Sequence, residues 1–296
     1  MTPSKRSPNR KPIARKAATT RRRPSSRKKT SSWKVKFVLL VILILVFSPF
    51  YYGKVFKSAV STSRWLHDLF VFDEYPQYKK FDIRIPRKYE VHGIDVSSYQ
   101  QKIDWDKVIQ MESDGVHISF AYIKATEGVT LVDSYFQRNW RESKKAGIIR
   151  GAYHYFKPKK SGIWQAHFFL QTVKTEAGDL PPVIDVEEFS GADERDFNAN
   201  LRDFLTEVST KTKTKPIIYC GYRFYKDHLK GNFDDNPIWI AHYYQAKLKL
   251  PTQTNWSFWQ HADNAHIDGI KGKVDMNVFN GEPADLSELL VQQLNN

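Results

Sequence analysis

The sequence predicts an α/β fold in which eight strands close into a distorted barrel, and three observations predict it. From Val91 onward, short β-type apolar runs alternate with helical ones, which implies strands joined by crossover connections. Eight strand candidates fit into about 190 residues, compact beside the roughly 250 usual for a regular eightfold α/β barrel. Between the later candidates the connections are too short or too polar for full helices. An open doubly wound sheet would carry a Gly-rich phosphate turn after an early strand, and "HGIDVSSYQ" offers none.

In chain order, strands are expected over 91–99, 117–126, 148–156, 181–188, 215–222, 237–243, 257–263 and 273–279, where β-branched and aromatic residues cluster. Helices are expected over 104–113, 134–146, 162–176 and 194–211. In the last, Phe197, Leu201, Phe204, Leu205 and Val208 form an amphipathic stripe that reads as a core face. Cys220, inside "PIIYCGY", reads as a small packed hydrophobe, and a lone cysteine forms no intramolecular disulfide.

The chain before the barrel has a different character. Of its 296 residues, the first 36 carry 14 Lys and Arg and no Asp or Glu, so the net charge of +14 belongs to that tail and the remainder is balanced. A segment so basic and so poor in large apolar residues reads as disordered, and nothing in the balanced remainder calls for nucleic acid. Phe37–Tyr52, "FVLLVILILVFSPFYY", is slightly short of the roughly 20 residues that span a bilayer, with Lys36 and Tyr51–Tyr52 as flanking anchors. The long basic region and bulky flank fit an uncleaved anchor over 37–55 better than a cleaved signal peptide. The expected arrangement is therefore a cytoplasmic tail (1–36), a single transmembrane helix (37–55) contacting lipid, a stalk (56–90) and a barrel (91–296) outside the membrane.

Three strand candidates end in acids: "GIDVSSYQ" with Asp95, "PPVIDVEE" with Asp185 and Glu187, and "KVDMNVF" with Asp275. Side chains at i and i+2 of a strand share a face, so Asp185 and Glu187 point one way while Ile184 and Val186 point the other. Carboxylates gathered at one barrel mouth raise at least one another's pKa, and a retained proton beside ionised neighbours suits glycoside hydrolysis. Strand-end acids also serve as helix caps, salt-bridge partners or metal ligands, so the pattern alone leaves those readings open. The nine histidines show no ligand spacing that would call for a metal or other cofactor.

"HGIDVSSYQ", "FAYIKATEG", "GAYHYF", "PPVIDVEE", "PIIYCGY", "PIWIAHY", "FWQHAD" and "VDMNVFNG" occur in the order found in glycoside hydrolase family 25, the Ch-type lysozymes, and the resemblance runs from about Val91 to Gly281. Met276 and Cys220 depart from the residues usual there. The resemblance implies a (β/α)5β3 barrel that cleaves the β-1,4 bond after N-acetylmuramic acid in peptidoglycan glycan strands. It makes Glu187 the general acid and places Asp95, Asp185 and Asp275 among the other active-site carboxylates. The D-x-E layout is similar to that of enzymes in which the sugar's 2-acetamido group attacks the anomeric carbon. Carboxyl spacing leaves retention and inversion both open. Tyr153, Tyr222, Tyr243 and Trp259 are expected to stack on pyranoses, and Lys124, Glu127, Gln260 and Asn277 to hydrogen-bond hydroxyls and acetamides. A monomer is expected. A wall-binding module without turnover and a chitin-active hydrolase are the alternatives.

Overall fold

The structure is a computed structural model that describes residues 33–43 and 74–292. Residues 33–43 are helical and belong to a unit separate from the remainder of the chain, which begins at Arg64. At about 1.5 Å per residue, these eleven residues reach roughly half the 30 Å of a bilayer's hydrocarbon core. No helix among the described residues is long and apolar enough to cross a membrane. That finding corrects the expected transmembrane helix over 37–55 and the single-pass localisation built on it. The basic tail up to residue 32, residues 44–55 of the expected anchor and residues 56–73 of the expected stalk lie outside the described residues.

Eight strands form a closed barrel: β1 (His92–Val96), β2 (Val116–Glu127), β3 (Ile149–Tyr155), β4 (Val183–Asp185), β5 (Ile217–Gly221), β6 (Ile238–Ala241), β7 (Trp256–Ala265) and β8 (Val274–Phe279). Neighbours run β1-β8-β7-β6-β5-β4-β3-β2, and β2 returns to β1. Helices α1 (Trp105–Gln110), α2 (Phe136–Lys145), α3 (Gly162–Thr172) and α4 (Glu194–Thr212) lie outside the barrel, and α5 (Pro283–Leu289) follows it.

The fold expected from sequence, a TIM-like (β/α)5β3 barrel of parallel strands behind a membrane helix, is corrected to this eight-stranded closed barrel with helices outside. β8 runs antiparallel to both β7 and β1. Its physical reason is length: residues 266–273 are too few for the crossover that a parallel pair needs, so β7 and β8 form a hairpin. Between β5 and β6 there is no full helix, only a three-residue α-turn (Tyr222–Phe224) and a π-turn (Tyr225–Leu229).

Strand parity divides the core in two. Outward residues such as Ile94, Ile123, Ile184, Val186, Ile218 and Met276 pack with Phe136, Phe169, Leu201 and Phe204 of the helices. Phe120, Tyr122, Val183, Ile217, Tyr219, Trp239 and Phe258 form the second cluster, which fills the barrel. Within it the Tyr122 and Trp239 rings, and the Tyr219 and Trp239 rings, lie 4.9 Å apart. Two glycines make room for these aromatics. A Cβ on Gly93 would stand 2.4 Å from the Phe120 ring, and one on Gly151 2.2 Å from the Tyr122 ring. A third sets the approach of α3 to α4, because a Cβ on Gly162 would stand 1.8 Å from the Asn200 backbone oxygen. Gly162→Ala is expected to destabilise by about 2 kcal/mol, since backbone rather than a flexible side chain must yield. Gly221→Ala, where no atom lies within 4 Å of the added carbon, is the control in thermal melts.

Residues 74–90 join the barrel unit. A small antiparallel pair, Gln77–Tyr78 with Ile83–Arg84, carries Phe81, Ile83 and Ile85 into the barrel–helix core.

Candidate active site

The aromatic filling stops short of one end of the barrel, leaving a pit of about 100 Å³ lined by Asp95, Tyr153, Val183, Asp185, Glu187, Tyr219, Trp239, Gln260 and Asp275. Asp185 is the last residue of the three-residue β4, Glu187 lies two residues beyond it, and Asp95 and Asp275 are paired across β1 and β8. The β8 hairpin is what brings Asp275 here. Running antiparallel, β8 presents its first residues at the end where β1 finishes.

Asp95 is buried, and its Oδ2 accepts from Gln260 Nε2 at 2.8 Å and Asn277 Nδ2 at 2.7 Å. Each amide is in turn oriented. Trp239 Nε1 donates to Asn277 Oδ1, while Tyr219 and Tyr243 hydroxyls both donate to Gln260 Oε1. Burial pushes Asp95 up, opposed by the two amide donors and its hydrogen bond with Asp275. Burial and the Asp95 carboxylate push Asp275 up to about 8. The two face each other across one hydrogen bond, so at neutral pH the pair retains a shared proton. Burial, then the charges of Glu187 and Asp95, push Asp185 well above the usual carboxylate range. Its Oδ1 has no hydrogen-bond partner among the described residues. Glu187 is exposed, and its Oε2 accepts from Tyr155 Oη at 3.1 Å. Glu188 is exposed and accepts from Ser190 Oγ. Among the described residues, no group of three or more His, Cys, Asp or Glu is placed to hold a metal ion.

The four acids expected from sequence therefore meet in one pit, joined by Tyr153 and Gln260. Asn277 and Tyr243 stand behind it, holding Asp95 and Gln260. Lys124 and Glu127 pair with each other at 2.7 Å, and neither lines the pit. Tyr222 also lies outside it, stacked on His242 with centroids 4.5 Å apart. Trp259 is wholly buried on the outward side of β7, against Tyr89 and Val278. Since Gln260 faces in, its neighbour Trp259 must face out. Tyr219 and Trp239 line the pit in place of Tyr222 and Trp259. Parity carried from Asp185 to its register partner Tyr219 would have identified the first of them.

The shared proton makes a stability prediction. Between pH 4 and 8 folded Asp275 keeps a proton that the unfolded chain, with its ordinary value near 3.8, has released. The contribution is therefore full below about pH 4 and is lost as pH rises through about 8. Urea melts at pH 5 and pH 8 are expected to show a smaller drop in midpoint for Asp275→Asn than for the parent. An equal drop would mean that Asp275 titrates normally.

The family model for glycosyl hydrolases family 25 matches residues 94–270. The Escherichia coli (strain K12) protein "Uncharacterized protein YegX" is 43% identical over 257 residues, which cover 87% of this chain and 94% of that one. Lysozyme M1 of Streptomyces globisporus is 34% identical over 213 residues, covering 67% of this chain and 71% of that one. The solved structure of a family 25 glycosyl hydrolase from Bacillus anthracis superposes with a TM-score of 0.64 at 32% identity, covering 69% of this chain and 95% of that one. With its acids meeting in one pit and the family match running through the barrel, the chain belongs to glycoside hydrolase family 25 and is a glycoside hydrolase.

Proposed function

We propose that this glycoside hydrolase is an N-acetylmuramidase that cleaves the β-1,4 bond between N-acetylmuramic acid and N-acetylglucosamine in peptidoglycan, with Glu187 as general acid. The observation that carries the assignment is the pit, in which exposed Glu187 stands beside three carboxyls that burial and mutual charge hold toward their protonated forms. Kinship with Lysozyme M1 supports the wall as substrate.

In this reading the sugar's acetamide oxygen attacks the anomeric carbon as Glu187 gives its proton to the departing glycosidic oxygen. The unpartnered Asp185 Oδ1 accepts from the acetamide N–H and orients it. Asp185 then faces the positive charge that develops on the cyclic intermediate. Glu187, now ionised, takes a proton from water as that water opens the ring. The Asp95–Asp275 pair sits behind and shares a single negative charge, which stabilises the cation without burying two.

Mass spectrometry of digested peptidoglycan is expected to find fragments ending in reducing N-acetylmuramic acid, and an NMR time course to find the β anomer first. Fragments ending in reducing N-acetylglucosamine, or cut in the peptide, would refute the bond assignment. An α-configured first product would end the acetamide mechanism.

A further inference from the structure

Glu187 stands two residues past the end of β4 and is exposed, so neither ladder hydrogen bonds nor close packing fix its side-chain torsions. A proton donor free to wander spends little time aimed at its target. The contact on its carboxyl is Tyr155 Oη, 3.1 Å from Oε2. Tyr155 ends β3 in register with Asp185, the residue from which the D-x-E segment leaves the sheet.

The phenol is itself held. Lys124 Nζ lies 4.9 Å and Lys157 Nζ 4.5 Å from the Tyr155 ring centroid. Both ammoniums bond one carboxylate, Lys124 to Glu127 Oε2 at 2.7 Å and Lys157 to Glu127 Oε1 at 2.8 Å. Glu127 thus staples a cation from β2 and one from the loop after β3 around a single aromatic ring. Cations over the face of a ring are attracted to it and so hold it in place. The pit does not use Lys124, Glu127, Lys157 or Tyr155 as lining, so this four-residue arrangement has no other evident task at the site.

We propose that Tyr155 is the positioning residue for Glu187: its hydroxyl occupies Oε2 and leaves Oε1 to carry the transferable proton, while the Lys124–Glu127–Lys157 clamp holds the phenol. The proposal rests on Glu187 being the general acid. Burial and the Glu187 charge keep Tyr155 above its ordinary value, so the donor persists through the working range. Besides Tyr155, the titratable groups that bear on Glu187 are Asp185, Asp95 and Asp275, and Lys124 and Lys157 stand behind the phenol.

Tyr155→Phe keeps the ring and its cations and deletes only the donor. On a soluble glycan fragment of peptidoglycan, kcat is expected to fall about tenfold with KM changed less than twofold. The alkaline limb of the pH–rate profile is expected to move to higher pH, because removing a donor from a carboxylate favours its protonated form. Glu127→Gln, which loosens the clamp but leaves the hydroxyl, should move both quantities in the same direction by less. A merely structural role would lower the melting temperature and leave the pH profile in place. Crystal structures of the parent and Tyr155→Phe give an arm independent of turnover: the Glu187 carboxylate should occupy one position in the parent and several in the variant. Unchanged kcat and profile, or equal order of Glu187 in both crystals, would overturn the proposal. A parent chain that releases no reducing ends would instead remove the muramidase reading, and the crystals would still decide the positioning role.

Discussion

Glu187→Gln is expected to lower the release of reducing ends from purified peptidoglycan by about 10³-fold, because positioned general acid–base catalysis contributes on the order of 10² to 10⁴. The amide has nearly the volume of the acid and can still accept from Tyr155, so sedimentation with the wall and the thermal midpoint should be retained. Asp185→Asn should also cost activity heavily, since its carboxyl is what receives the acetamide N–H and faces the developing cation. Its site is buried, and Asn would present an N–H₂ donor where the acetamide must be received. Glu188→Gln should change little, as Glu188 is exposed and turned toward Ser190. Equal losses at 185, 187 and 188 would mean that the i, i+2 face assignment is wrong.

Asp179→Ala is expected to destabilise the barrel by about 3 kcal/mol, the cost of taking its buried partner from a buried charge and leaving it the exposed Glu176 carboxylate at 3.3 Å. Arg150 and Asp179 are both buried, and Asp179 Oδ1 accepts from Arg150 Nε at 2.8 Å. The guanidinium also lies 3.8 Å over the Trp140 ring and donates to the Trp140 carbonyl at 2.6 Å. Asp179 Oδ2 accepts in addition from Arg150 Nη2 and from the Glu176 backbone N–H, so the substitution takes an acceptor from three donors at once. The loop it shapes receives the end of the chain, where Val291 N–H donates to the Asp179 carbonyl. A thermal midpoint lower by about 10 °C would match that cost for a domain of this size. The double change Arg150→Met with Asp179→Leu should cost less than Asp179→Ala alone, because the buried guanidinium is removed together with its buried partner. If the double variant were the less stable, the pair would be a net stabiliser rather than a mutual requirement.

Much of the site was legible before any coordinates. Asp185 and Glu187 reveal themselves by alternation in a short strand, and Asp95 and Asp275 by lying at the ends of segments with strand composition. Alternation states which residues share a face but not which face turns inward. That is why Tyr222 and Trp259 were expected in the groove, while Tyr219 and Trp239 occupy it. Lys124 and Glu127 show the same limit. Their sequence spacing marks a polar pair near a strand end, but only the return of Lys157 from the neighbouring loop closes them on Tyr155. The apolar run beginning at Phe37 reads by composition as a membrane span, yet no helix among the described residues is long and apolar enough to cross a membrane.

The sequence by itself determined the places of the eight strands and four outer helices, and the identities of four acids, because periodicity and composition are local properties of the chain. Tertiary structure decided that β8 runs backwards, which aromatics fill the barrel, and that Tyr155 reaches Glu187. Those depend on closure and register, where residues distant in the chain compete for the same space.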